Sequence, residues 1–119
     1  MAFLMPFIGY YTYKAISHNA ASGSSRQLIA AGIAGYVAIN IAALAAGIEF
    51  GIQPMLFTAA DGTPLYCPYG LDVALPAMAL AHLTVGGFVE GIVTALALKF
   101  VSVQSPELSA NNTACSKEV

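Results

Sequence analysis

Charged side chains are scarce in this chain. Lys and Arg number four and Asp and Glu six, 8% of 119 residues. A soluble domain carries about 25%, because surface that meets water has to be solvated. So few charged groups cannot coat a globule of this size. The net charge of −2 and the absence of Trp give no sign of nucleic-acid binding, which needs a basic patch. The two cysteines, Cys67 and Cys115, have no partner at metal-ligand spacing. A nucleophile triad, a phosphate-binding loop and a CxxC motif are all missing, so an enzyme is the weaker class and no covalently bound cofactor is expected. No alternating ten-residue pattern occurs, which argues against a membrane barrel.

Apolar residues are abundant, at 58% of the chain with a mean hydropathy of +0.74. They gather into three runs, which predict an all-α integral membrane bundle with helices over about 1–17, 27–50 and 71–101. An outer connection over 51–70 and a polar tail over 105–119, expected to be disordered, complete the chain around one membrane domain, 1–104. The second and third runs exceed the ~20 residues that cross about 30 Å of hydrocarbon, and they are apolar all round. The first is short: its apolar part, 1–13, reaches only about 20 Å as a helix. Nor does it read as a signal peptide, because Lys14 follows the apolar stretch and no basic residue precedes it. Two readings stay open: a helix carried through Ile16 and Ser17 with Lys14 snorkelling, or the tail half of a longer, truncated helix.

Basic residues set the orientation. Lys14 and Arg26 bracket the first connection, Lys99 marks the end of the third run and Lys117 lies in the tail. The 51–70 connection has no Lys or Arg. This predicts a multi-pass protein of the plasma membrane, amino terminus outside and carboxyl terminus cytoplasmic. Tyr10, Tyr11 and Tyr13 would form an inner aromatic belt, Tyr66 and Tyr69 an outer one. Cys67 and Cys115 then fall on opposite sides and cannot pair, and the Asn111-Asn112-Thr113 sequon falls in the cytoplasm. Pro54, Asp61-Gly62, Pro64 and Pro68 should give the outer connection fixed turns, with Gly70 or Asp72 opening the third helix ahead of Pro76.

Polar groups inside a span are functional candidates by default. Asn40 lies mid-span, where hydrogen bonding between helices accounts for it, and Glu49 sits near the outer end of the second span, within reach of water. His82 and Glu90, eight residues apart, stand within roughly 80° of one another on an ideal helix. A packed polar seam explains this pair, and a place on a cation pathway is the alternative. Small residues four apart, including Gly47/Gly51 and Gly87/Gly91, let helix backbones approach closely.

One ordered string is distinctive: Gly51-Ile52-Gln53-Pro54, then Pro64-Leu65-Tyr66-Cys67-Pro68-Tyr69-Gly70-Leu71, Leu75-Pro76-Ala77-Met78 and Ala81-His82-Leu83-Thr84-Val85. It resembles the carboxyl-terminal half of CbiM/NikM, the membrane substrate-capture subunit of energy-coupling-factor cobalt and nickel transporters. The opening Met5-Pro6-Phe7-Ile8-Gly9-Tyr10 fits as well, and the likeness spans about 1–104. The resemblance implies capture of Co²⁺ or Ni²⁺ as substrate, with a coupling transmembrane subunit and ATP-binding subunits as partners. The family's ligands come from an amino-terminal Met-His and a further His in the early half. Here Met1 is followed by Ala2, so none of them falls on a position of this sequence. The expectation is therefore a carboxyl-terminal-half fragment or split form, possessing no direct metal ligand and paired with a separate amino-terminal-half polypeptide. The rival expectation is a small helical accessory or assembly protein without metal transport of its own.

Overall fold

The computed structural model describes residues 3–18, 20–21 and 23–104. The tail, with Cys115 and the sequon, lies outside them, as do Met1 and Ala2. The described residues form helices α1 (Leu4–Ser17), α2 (Ser25–Leu56), α3 (Leu71–Ala81) and α4 (Gly87–Gln104), with no strand. A π-helical segment, His82–Gly86, joins α3 to α4, so that Leu71–Gln104 runs as one continuous rod of 34 residues. This rod and α2 are long and apolar enough to cross a membrane.

Local chemistry sets the helix ends. Pro6 stands in the first turn of α1, where its missing N–H has no intrahelical partner to lose. Lys14 lies in the last turn, favourably placed at the negative end of the helix dipole. The Arg26 Nε donates to the Ile16 carbonyl at 3.3 Å, satisfying an end group of α1 from the start of α2. Ser24 caps α2: its Oγ accepts from the Gln27 N–H at 3.3 Å, while Gln27 Oε1 accepts from the Gly23 N–H at 2.6 Å. Gly23, at φ 77°, makes the turn into that cap. At the other connection Gly70 takes the capping position of α3, its carbonyl accepting from Val73 and Ala74.

The prolines predict a connection from residue 51 onward, but α2 continues through Pro54 to Leu56. Pro54 removes only the N–H that would meet the Phe50 carbonyl, and in a final turn that loss is small. Packing then decides the end point. Gly51 is buried against the start of α3, where a Cβ on it would lie 2.8 Å from the Leu71 Cα. The connection that remains is ordered by hydrogen bonds. Ala59 N–H donates to Thr63 O at 2.8 Å and Leu65 N–H to Phe57 O at 3.0 Å, around a turn with Gly62 at φ 84°. The Phe57 and Tyr66 rings meet edge to face at 5.7 Å.

Helix α2 is the centre of the structure. It packs against α1 and along the whole rod, while the backbones of α1 and the rod do not approach one another closely among the described residues. Most buried positions lie on α2, and the buried apolar set is alanine throughout: Ala30, Ala31, Ala34, Ala38, Ala42, Ala43 and Ala46, with Ala74 from α3. On the rod only Ala74, Gly87 and Gly91 are buried. Large apolar side chains such as Ile29, Leu80, Phe88 and Ile92 face outward, each more than half exposed. A core of small residues under a shell of large ones is the arrangement of helices that pack by close backbone approach in lipid.

Candidate functional site

Two of the polar side chains singled out from sequence, Asn40 and His82, lie at the π-helical segment. Asn40 is buried, and its Nδ2 donates to the Tyr36 carbonyl one turn back at 2.7 Å. Tyr36 in turn sends its hydroxyl across to the rod, donating to the Leu83 carbonyl at 2.9 Å. Its ring rests against Phe88, centroids 5.4 Å apart. Gly87 closes this junction. A Cβ there would stand 2.5 Å from the His82 carbonyl, 2.6 Å from Tyr36 Cε2 and 2.7 Å from Asn40 Nδ2. Gly91 one turn on meets the Gly32 carbonyl with the same tightness, at 2.8 Å for a built Cβ.

His82 opens the π segment. Its Nδ1 lies 2.9 Å from the Met78 carbonyl, an acceptor, so Nδ1 is the donor in that contact. Thr84 Oγ1 donates to the Leu80 carbonyl at 2.6 Å. The π turn also alters the angle between His82 and Glu90. It absorbs about one residue of winding, close to 100°, so the offset expected on a regular helix does not carry over.

Glu90 faces a different space. Between α1, α2 and α4 runs an open groove of about 410 Å³, lined by Met5, Gly9, Tyr13, Ala38, Glu90 and Thr94 among others. Glu90 is its one carboxylate, with the Thr94 hydroxyl 3.5 Å from Oε1. Glu49 stands apart from both, exposed near the end of α2 and nine residues beyond Asn40, about 14 Å along the axis. The structure thus sets Asn40 against the turn that His82 begins, places Glu90 on the neighbouring groove and leaves Glu49 outside.

Gly47 and Gly51 lie where α2 meets α3: a Cβ on Gly47 would reach Met78 Cβ at 3.4 Å. Two residues of these contacts are absent from the sequence reading. Tyr36 bridges α2 to the rod and Gly32 receives Gly91. The signal for Tyr36 is a lone phenol mid-span, four residues before Asn40 in an Ala/Gly-rich helix.

Outside the spans, Asp61 accepts from the Thr63 hydroxyl at 2.7 Å and from the Thr63 N–H at 3.1 Å. The hydroxyl first, then the backbone bond, hold its carboxyl below the ordinary carboxylate range. Among the described residues no group of three His, Cys, Asp or Glu side chains is arranged to hold a metal ion.

Two long apolar helices and an alanine core are features of a membrane-embedded helical protein. The chain matches, over residues 1–108, the CbiM family, described as the cobalt uptake substrate-specific transmembrane region, and it belongs to that family. This is a family of transporters, not of enzymes. Over 110 residues the chain is 48% identical to the fused nickel transport protein NikMN of Rhodobacter capsulatus, covering 92% of this chain and 32% of that protein. A crystal structure of a transition metal transporter superposes with a TM-score of 0.76 at 48% identity, covering 90% of this chain and 45% of the other. A truncated transition metal transporter matches similarly, with a TM-score of 0.74. The chain therefore spans about a third of the curated relative and under half of the solved ones.

Proposed function

We propose that this chain forms the scaffold half of the membrane subunit that captures Co²⁺ or Ni²⁺ for an energy-coupling-factor uptake transporter. The observation that carries the reading is a pair of facts about one stretch. The chain aligns along nearly its whole length with transition-metal transporters, yet its described residues hold no metal-ligand cluster. Nitrogen-rich sites suit these two ions. In this reading such a site comes from the amino-terminal half, whether on the same polypeptide or a separate one, and this half supplies the helices against which it is built. A coupling transmembrane subunit and ATP-binding subunits drive release of the ion.

In the membrane the chain makes three spans, of which α1 is the short one. Lys14, Arg26 and Lys99 mark the cytoplasmic side, placing the amino terminus outside and the 57–70 connection outside with it. The lack of a ligand cluster supports a second reading, an accessory protein that handles no metal.

Uptake of radioactive ⁶³Ni²⁺ or ⁵⁷Co²⁺ separates the two. The chain is expressed in cells deficient in uptake, with the coupling and ATP-binding subunits, and with or without an amino-terminal half from the family. Uptake that requires both halves is the expected outcome. Uptake by the amino-terminal half without this chain, or none with all components present and inserted, overturns the proposal in favour of an accessory role.

A further inference from the structure

A helix inside a membrane has to satisfy its own carbonyls, because hydrocarbon offers no hydrogen bond. In a regular α-helix the Gly87 N–H would reach back four residues to the Leu83 carbonyl. It reaches instead to the His82 carbonyl, one residue further. The Leu83 carbonyl is thereby passed over, and it is this oxygen that receives the Tyr36 hydroxyl from α2, 47 residues away in sequence. The phenol is steadied on both sides. Its own carbonyl is held by Asn40 and its ring lies on Phe88. From within the segment, His82 Nδ1 and Thr84 Oγ1 bond back to the Met78 and Leu80 carbonyls that precede it. Gly86 and Gly87 follow directly, without β-carbons to fix the winding.

We propose that the Tyr36 hydroxyl is a latch on a register switch: it holds the rod in its π-expanded winding by occupying the one carbonyl that would otherwise draw the turn back to α. On release, Leu83 O takes the Gly87 N–H and the expansion disappears. One residue of winding is about 100°, so α4 turns by roughly that angle relative to α3. The turn carries Glu90 and Thr94 out of the groove they line with α1 and α2, and removes Gly91 from Gly32. A single hydrogen bond in the seam thus decides which side chains the groove presents. The switch is a property of the three helices alone and requires no assumption about the transported ion.

Two cysteine pairs read the two halves of the rod separately. A Cβ on Gly32 would lie 3.7 Å from Ala95 Cβ, and one on Gly47 would lie 3.4 Å from Met78 Cβ. Both are close to the separation of about 3.5–4.5 Å found in disulfides. The 32/95 pair reports α4, beyond the π turn, and the 47/78 pair reports α3, before it. Each is placed in the full chain with Cys67→Ser and Cys115→Ser, reconstituted in lipid vesicles, and the rate of oxidation is followed. Tyr36→Phe is expected to slow the 32/95 bridge about tenfold, the factor an ordinary hydrogen bond gives, while 47/78 stays unchanged. Equal rates at both pairs, or a fall at both together, overturn the latch. Deletion of Val85 removes the extra residue and keeps α3 and α4 in their present phase. In that chain the 32/95 bridge is expected to form as before, and Tyr36→Phe to leave it unaltered. Loss of the bridge on deletion alone, or the same tenfold effect of Tyr36→Phe afterwards, also overturns the proposal.

Discussion

Gly87 is the residue with least freedom to change. A methyl group there would press on the His82 carbonyl, the Tyr36 ring and the Asn40 amide together, and one of the three is rigid backbone. Gly87→Ala is expected to destabilise the chain by about 1–3 kcal/mol, read as a lower midpoint of thermal unfolding in detergent. Gly86→Ala serves as its neighbour control. A Cβ there finds His82 Cδ2 at 3.3 Å, the edge of a ring that can yield, so a smaller loss is expected. A different residue-scale effect belongs to Asp61, whose carboxylate is stabilised by two bonds from Thr63. Because its pKa is lowered in the folded loop, it supports the turn at neutral pH. That support fades as pH falls through the lowered value. Carboxyl NMR titration of the chain should find Asp61 below the ordinary range, and Thr63→Val should move it upward.

At the scale of elements, how much was legible in the sequence depended on the kind of signal. The length and uniform apolarity of α2 and the rod mark them as long helices, and the charge-poor 51–70 stretch marks a connection. The end of α2 was harder to place. Pro54 looks like a stop, but a proline in a last turn breaks only one hydrogen bond, and the contact of Gly51 with Leu71 outweighs it. The π segment left almost no trace. Hydropathy is nearly the same on every face of the rod, so a one-residue slip in winding disturbs no periodic pattern, and only Gly86-Gly87 hints at it. Asn40 stands out as a polar residue in an apolar run, whereas the signal for Tyr36 is faint, since its ring is at home in a membrane helix and only the position of Leu83 gives its hydroxyl a purpose. Caps are local and therefore readable. Ser24→Ala should cost about 1 kcal/mol of stability through the lost bond to the Gln27 N–H, measurable by the same thermal unfolding.

For the whole molecule the orientation has a direct chemical readout. Cys67 lies half-buried in the connection proposed to face outward. A membrane-impermeant maleimide applied to intact cells should label it, while Cys115 should react only after the cells are opened. The reverse pattern would invert the proposed topology.

The central position of α2 has a further consequence, for how the chain is built. Since, among the described residues, α1 and the rod approach α2 closely but not one another, every close helix pairing joins elements that follow directly in the chain. The molecule is two successive hairpins sharing one arm. Nothing translated early has to wait for a distant strand of chain: α1 can pair as soon as α2 enters the bilayer, and the rod then adds to a surface already in place. By the same logic a cut between Phe57 and Gly70 would leave two pieces, the α1–α2 hairpin and the rod, that meet only along α2.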